Sequence, residues 1–121
     1  MMQCMQIIKD APKDFLVVSG DDVLAMAQLA CGMHGVISVV ANCFPKQFST
    51  MVNAGLAVDF KTAKIENDYL LEVYNLLFVE NNPAGVKAFL YEMGLIKNEL
   101  RLPLIPASET LQQAMHTFLN R

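Results

Sequence analysis

Apolar residues recur along this chain with two different periods, and each change of period marks an element. Met1, Cys4, Met5 and Ile8 fall at helical spacing with Gln3, Gln6 and Asp10 opposite, which predicts a short amphipathic helix ended before Pro12. No cap precedes it, as though the helix had been cut. Phe15 to Ser19 is a continuous apolar run, the pattern of a strand covered on both faces in a parallel sheet. Gly20 breaks the run, and Asp21 or Asp22 is placed to cap a helix from Val23 to Ala30, a carboxylate there accepting from free N–H groups. Gly32 and Gly35 bracket a turn, and Val36 to Val40 is a second run of the buried-strand kind. Phe44, Phe48, Met51 and Gly55 then trace one face of a further helix, with Lys46, Gln47, Thr50 and Asn53 on the other. Strand and helix thus alternate through residue 57, the grammar of βα units with right-handed crossovers, found in doubly wound sheets and in the (β/α)₈ barrel.

Beyond that point the period is helical throughout. Phe60, Ala63, Leu70, Leu71, Tyr74, Leu77 and Phe78 predict a long helix, solvated along Lys61, Lys64, Glu66, Asp68 and Glu72. Asn82 and Pro83 read as cap and first residue of another, with Val86, Phe89, Leu90 and Met93 as its stripe and Gly94 as its end. Arg101 to Pro106 holds two prolines and should run extended over the surface. Ser108 caps a last helix that buries Leu111, Ala114, Met115 and Phe118. Two strands cannot cover both faces of a sheet, and a barrel needs eight, so the pattern describes part of a larger arrangement.

Composition narrows the chemistry. With 121 residues, 54% apolar and 17% charged, the chain has one domain's length and must bury a core. A net charge of −3 without a basic block removes the electrostatic drive for binding nucleic acid. Cys4, Cys31 and Cys43 lie far apart and read as buried thiols of a cytoplasmic protein, and neither His34 nor His116 has a second donor at ligand spacing, so no metal is expected. The eight methionines read as core filler, and His34 as a solvated turn residue. Met1 to Asp10 lacks the basic flank, apolar run and small-residue cleavage site of a secretory signal, so none is expected. Val23 to Pro45 lacks charge over a length that could span a bilayer, but Gly32, His34, Gly35 and Asn42 interrupt it, so a buried helix, turn and strand are expected instead of a membrane segment.

Three ordered stretches carry a resemblance. Ser19-Gly20-Asp21-Asp22 follows a strand. Gly35-Val36-Ile37-Ser38-Val39 leads to Ala41-Asn42. Phe78 to Lys87, with Asn82-Pro83-Ala84-Gly85-Val86-Lys87, leads to Leu100-Arg101-Leu102-Pro103-Leu104. Together they resemble the carboxy-terminal part of the dihydrodipicolinate synthase family, pyruvate-dependent class I aldolases that also include N-acetylneuraminate lyase. The resemblance implies an α/β fold in which residues 1–58 supply the last two βα units of a (β/α)₈ TIM barrel and residues 59–121 form a small helical domain that helps subunits pack. It implies a lyase of lysine and diaminopimelate biosynthesis, condensing pyruvate with aspartate semialdehyde through a lysine Schiff base, with no separate cofactor.

The family's catalytic lysine, tyrosine and hydroxyl residues would lie upstream of the segment present here. No lysine ends a strand, so no catalytic residue is assigned, and Lys87 reads as a surface charge. Gly20 and Ile37 match positions whose backbone lines the pyruvate site, and these two are the expected substrate-binding residues. Such a chain would be inactive alone and would associate with itself or with a complementing barrel half. A non-catalytic oligomerisation module, or a part of another pyruvate aldolase, is the alternative.

Overall fold

The computed structural model describes residues 1–121, and it forms two compact units, Met1–Leu71 and Glu72–Arg121. The elements are α1 (Met2–Asp10), α2 (Ala25–Ala30), a 3₁₀ turn (Val40–Asn42), α3 (Pro45–Leu56), α4 (Phe60–Phe78), α5 (Ala84–Glu92) and α6 (Glu109–Leu119). The boundary between the units falls within α4.

In the first unit α2 packs on α3, and Ala25, Leu29, Phe44, Phe48, Met51, Ala63 and Leu70 are buried, with Phe44 edge-on to Tyr69 at 6.2 Å. The face expected for α3 is the buried one. α1 buries no residue completely; of its expected stripe only Cys4 and Ile8 are half-covered, and Met1 and Met5 are exposed. Of the cysteines Cys43 alone is buried, where desolvation pushes its thiol up to about 12; Cys4 and Cys31 are half-buried, not buried as expected. The methionines divide likewise, Met33, Met51 and Met115 being buried and Met1, Met2 and Met5 exposed.

The two expected strands are reduced to one parallel bridge, Ser19 with Val36. Ser19 N–H donates to the Gly35 carbonyl at 2.9 Å and Ile37 N–H to the Ser19 carbonyl at 2.8 Å. Coverage on both faces is not found. Ser19 is buried and Val17 half-buried, whereas Phe15, Leu16, Val18 and Ile37 are exposed; from Leu16 to Ser19 exposure alternates, as the two faces of an extended segment do. The second run also ends early, since Val40 opens the 3₁₀ turn.

In the second unit α5 packs on α6, with Phe89 edge-on to Phe118 at 6.2 Å and Val73, Leu77, Ala88 and Met115 buried. Leu71 and Ala114, both expected on buried stripes, are exposed. Ser108 caps α6 as expected, its hydroxyl oxygen accepting from Leu111 N–H. Asn82 is not a cap: α5 begins at Ala84, one residue later than the Asn-Pro pattern predicts, with Pro83 as the flanking residue and no side-chain cap. Lys87 is half-buried, and its ammonium donates to the Glu99 carbonyl at 2.5 Å, tying α5 to the segment that precedes Arg101.

Glu80 receives both donors of Ser108, the hydroxyl and the N–H, and these hold its carboxyl below its ordinary value. A carboxylate with a depressed folded pKa stabilises the native state above its unfolded pKa, and that contribution disappears as pH falls through the folded value. The melting temperature is therefore expected to fall on acidification from about pH 4.5, the unperturbed glutamate range. Glu80→Gln should show a shallower fall over the same interval, read by thermal melts from pH 6 to about 2.5; equal slopes would reject the assignment.

Two helix ends share one hydrogen-bond pattern with different residues at its left-handed position. After α5, Gly94 (φ +72) donates to Tyr91 and Leu95 to Leu90; after α3, Val58 (φ +62) donates to Gly55 and Asp59 to Ala54. Both are Schellman ends, which favour glycine because an L side chain in that region costs about 1–2 kcal/mol. Val58 is β-branched and 76% exposed, so it gains little packing in return. Val58→Gly is expected to raise stability by about 1 kcal/mol after the added entropy of the unfolded chain is subtracted. A higher urea midpoint at unchanged slope would show it.

Candidate functional site

Ser19 is the hub from which the candidate site is built. Its hydroxyl donates to Gln28 Oε1 on α2 and accepts from Asp21 N–H at 3.0 Å, while Gln28 Nε2 reaches Cys4 Sγ at 3.5 Å. This buried polar chain fixes where the backbone leaves the bridge and turns at Gly20. Gly20 is exposed, and a Cβ built on it would meet no atom within 4 Å, so its backbone borders open space. Ile37 sits across the bridge, with its N–H on the Ser19 carbonyl and its side chain 75% exposed. The structure thus brings Gly20 and Ile37 to either side of one bridge, and corrects the expectation that the Ile37 side chain is core.

The two aspartates behind Gly20 divide the work. Asp21 Oδ1 accepts from Leu24 N–H at 3.0 Å, a local cap of the turn leading into α2. Asp22 is 4% exposed and reaches the other turn, its Oδ2 accepting from Val39 N–H at 3.0 Å and Val40 N–H at 3.2 Å. Sequence reading offered either residue as the cap of a helix from Val23; α2 instead begins at Ala25, with Leu24 at its cap position and no side-chain cap, and the link from Asp22 to Val39 had no local signal. His34 is not merely a solvated turn residue either. Its ring Nδ1 accepts from Val17 N–H at 3.1 Å and its backbone N–H donates to the Val17 carbonyl at 2.8 Å, so it continues the pairing where the bridge ends.

No group of three or more metal-ligating side chains is gathered anywhere in the structure, and no helix is long and apolar enough to cross a membrane. Every lysine except Lys87 is exposed, and Lys87 is committed to a carbonyl. Beside α1 an open, largely apolar groove of about 420 Å³ is lined by Gln6, Ile7, Asp10, Ala11, Pro12 and Phe15.

Parallel extended segments followed by carboxylate-capped turns into helices are the local geometry of α/β proteins that place their ligands at strand ends. The chain belongs to the dihydrodipicolinate synthetase family, which it matches over residues 1–121. It is 47% identical over 118 residues to the 4-hydroxy-tetrahydrodipicolinate synthase of Phocaeicola vulgatus, covering 98% of this chain and 40% of that protein. The dihydrodipicolinate synthase of Aquifex aeolicus superposes with a TM-score of 0.94 at 34% identity, over 98% of this chain and 41% of the other. The chloride-inhibited dihydrodipicolinate synthase of Acinetobacter baumannii, complexed with pyruvate, superposes with a TM-score of 0.92 at 36% identity and the same coverage. The chain therefore spans about 40% of the length of the relatives it matches.

Proposed function

We propose that this chain is the carboxy-terminal part of a 4-hydroxy-tetrahydrodipicolinate synthase, contributing one wall of the pyruvate site and no catalytic side chain. Residues 1–58 supply the last two βα units of a (β/α)₈ barrel, and residues 59–121 its helical domain. Gly20 and Ile37 border the substrate through their backbones. The Schiff-base lysine that condenses pyruvate with aspartate semialdehyde, in lysine and diaminopimelate biosynthesis, comes from the remainder of the barrel. The observation that carries this reading is the match to the family over residues 1–121, joined to the exposed apolar surface of Phe15, Leu16, Val18 and Ile37 around the bridge. Such a surface on a two-segment pairing favours being covered by neighbouring strands. A chain with the complementary barrel half is the partner this implies, with a homo-oligomer formed by the completed enzyme.

The test is borohydride trapping of pyruvate, read by intact mass, on this chain alone and on a chimera in which it replaces the corresponding part of the Phocaeicola vulgatus synthase. A single adduct on a lysine outside this sequence in the chimera, and none on the isolated chain, is the expected result. An adduct on any lysine of the isolated chain would overturn the assignment. A second reading, a non-catalytic module that associates through its apolar surface, is favoured by that same exposure and by the groove beside α1. A monodisperse, cooperatively melting monomer would reject it.

A further inference from the structure

We propose that Asp22 is a positioning residue that clamps the two strand-end turns at the spacing the substrate requires, a role that rests on the reading of Gly20 and Ile37 as the pyruvate wall. Two ties join these turns. The first is the bridge, where Ser19 exchanges hydrogen bonds with Gly35 and Ile37. The second is Asp22, whose Oδ2 takes the N–H groups of Val39 and Val40. Gly20 lies between Ser19 and Asp22 on one turn, and Ile37 lies between Val36 and Val39 on the other. Both expected substrate residues are therefore held between the two ties.

The chemistry of the clamp is unlike that of a helix cap. Asp21 holds the turn ahead of α2 through Leu24 N–H, and α2 itself has no side-chain cap, so neither oxygen of Asp22 serves the helix. It is buried, it makes both bonds with one oxygen, and its Oδ1 is also buried and has no hydrogen-bond partner. Burying a carboxylate is costly, and the compensation here comes from two amides 17 and 18 residues away. Ser38 Oγ takes the next amide, Ala41 N–H, at 2.9 Å, so the start of the 3₁₀ turn is held by side chains from both turns. Removing the carboxylate leaves two amides unpaired and leaves the bridge as the one remaining tie between the turns that carry Gly20 and Ile37. An asparagine keeps one acceptor oxygen and removes the charge, which makes it the conservative variant.

Three measurements test this. In the isotopically labelled full chain, scalar couplings through the hydrogen bonds are expected between the Val39 and Val40 amide nitrogens and Asp22 Cγ, and their absence would overturn the clamp without any variant. Hydrogen exchange of those two amides should be at least about tenfold faster in Asp22→Ala and near wild type in Asp22→Asn; a folded Asp22→Asn that loses the protection also overturns it. In the chimera with the Phocaeicola vulgatus synthase, Asp22→Ala should raise KM for pyruvate about tenfold with a smaller change in kcat, and Asp22→Asn should restore it. A structural role alone would lower the melting temperature and leave KM unmoved, which would reject the positioning role. If the unsubstituted chimera forms no pyruvate adduct, the reading of the wall fails and the positioning role with it, while the couplings still decide whether the clamp exists.

Discussion

Gly85→Ala is expected to destabilise the second unit by about 2–4 kcal/mol, although it replaces the poorer helix former with the best one. A Cβ at residue 85 would lie 1.9 Å from the Leu77 carbonyl oxygen, 2.8 Å from its carbonyl carbon and 3.1 Å from its Cα. All three atoms are backbone, and Leu77 is a fully buried residue of α4, so no rotamer change relieves the overlap. The first turn of α5 must move off α4, and Val86, Ala88 and Phe89 must move with it. The intrinsic preference of a helix for alanine over glycine, about 1 kcal/mol, is smaller than that displacement costs. Thermal denaturation followed by circular dichroism should show the melting temperature falling by roughly 10 °C. A melting temperature equal to or above wild type would mean that the two backbones do not approach as described.

Phe89→Ala should cost about 3–5 kcal/mol, the usual range for an aromatic side chain lost from a core. Phe89 is the largest fully buried side chain of the chain and meets Phe118 edge to face, so its removal leaves a void and takes away an aromatic contact between α5 and α6. Phe118→Ala should cost less, because Phe118 keeps 8% of its surface in solvent and also lies under the Arg121 guanidinium, 5.7 Å from the ring centroid. Chemical denaturation of the two variants under the same conditions checks the order. A larger loss at Phe118 would place the centre of this core nearer α6.

Features whose cause is local were legible in the sequence. The Ser108 cap acts on an amide three residues away, and α5 ends where Gly94 N–H bonds the Tyr91 carbonyl and Leu95 N–H that of Leu90. The faces of α3 and α6 followed from helical spacing, with Ala114 misplaced because one small residue carries little pattern. Features whose cause lies across the fold were not legible. Asp21 and Asp22 are the same residue type at adjacent positions, and only the arrival of Val39 and Val40 beside one of them separates their roles. Gly85 reads as an ordinary small residue near a helix start until Leu77 is seen against it.

The candidate wall divides the same way. The motifs around Gly20 and Ile37 were enough to point to the family, and the match over residues 1–121 confirms it. They did not reveal that a single bridge would hold the two segments or that Ile37 would be exposed, since an unbroken apolar run is compatible with one covered face or two. Hydrophobic period and capping chemistry act within a few residues, so the sequence by itself determined where the helices run and which residues end most of them. Burial, the Asp22 link and the close approach at Gly85 depend on which distant segment arrives, and only the tertiary structure decided them, because a contact across 17 residues leaves no period in the chain that makes it.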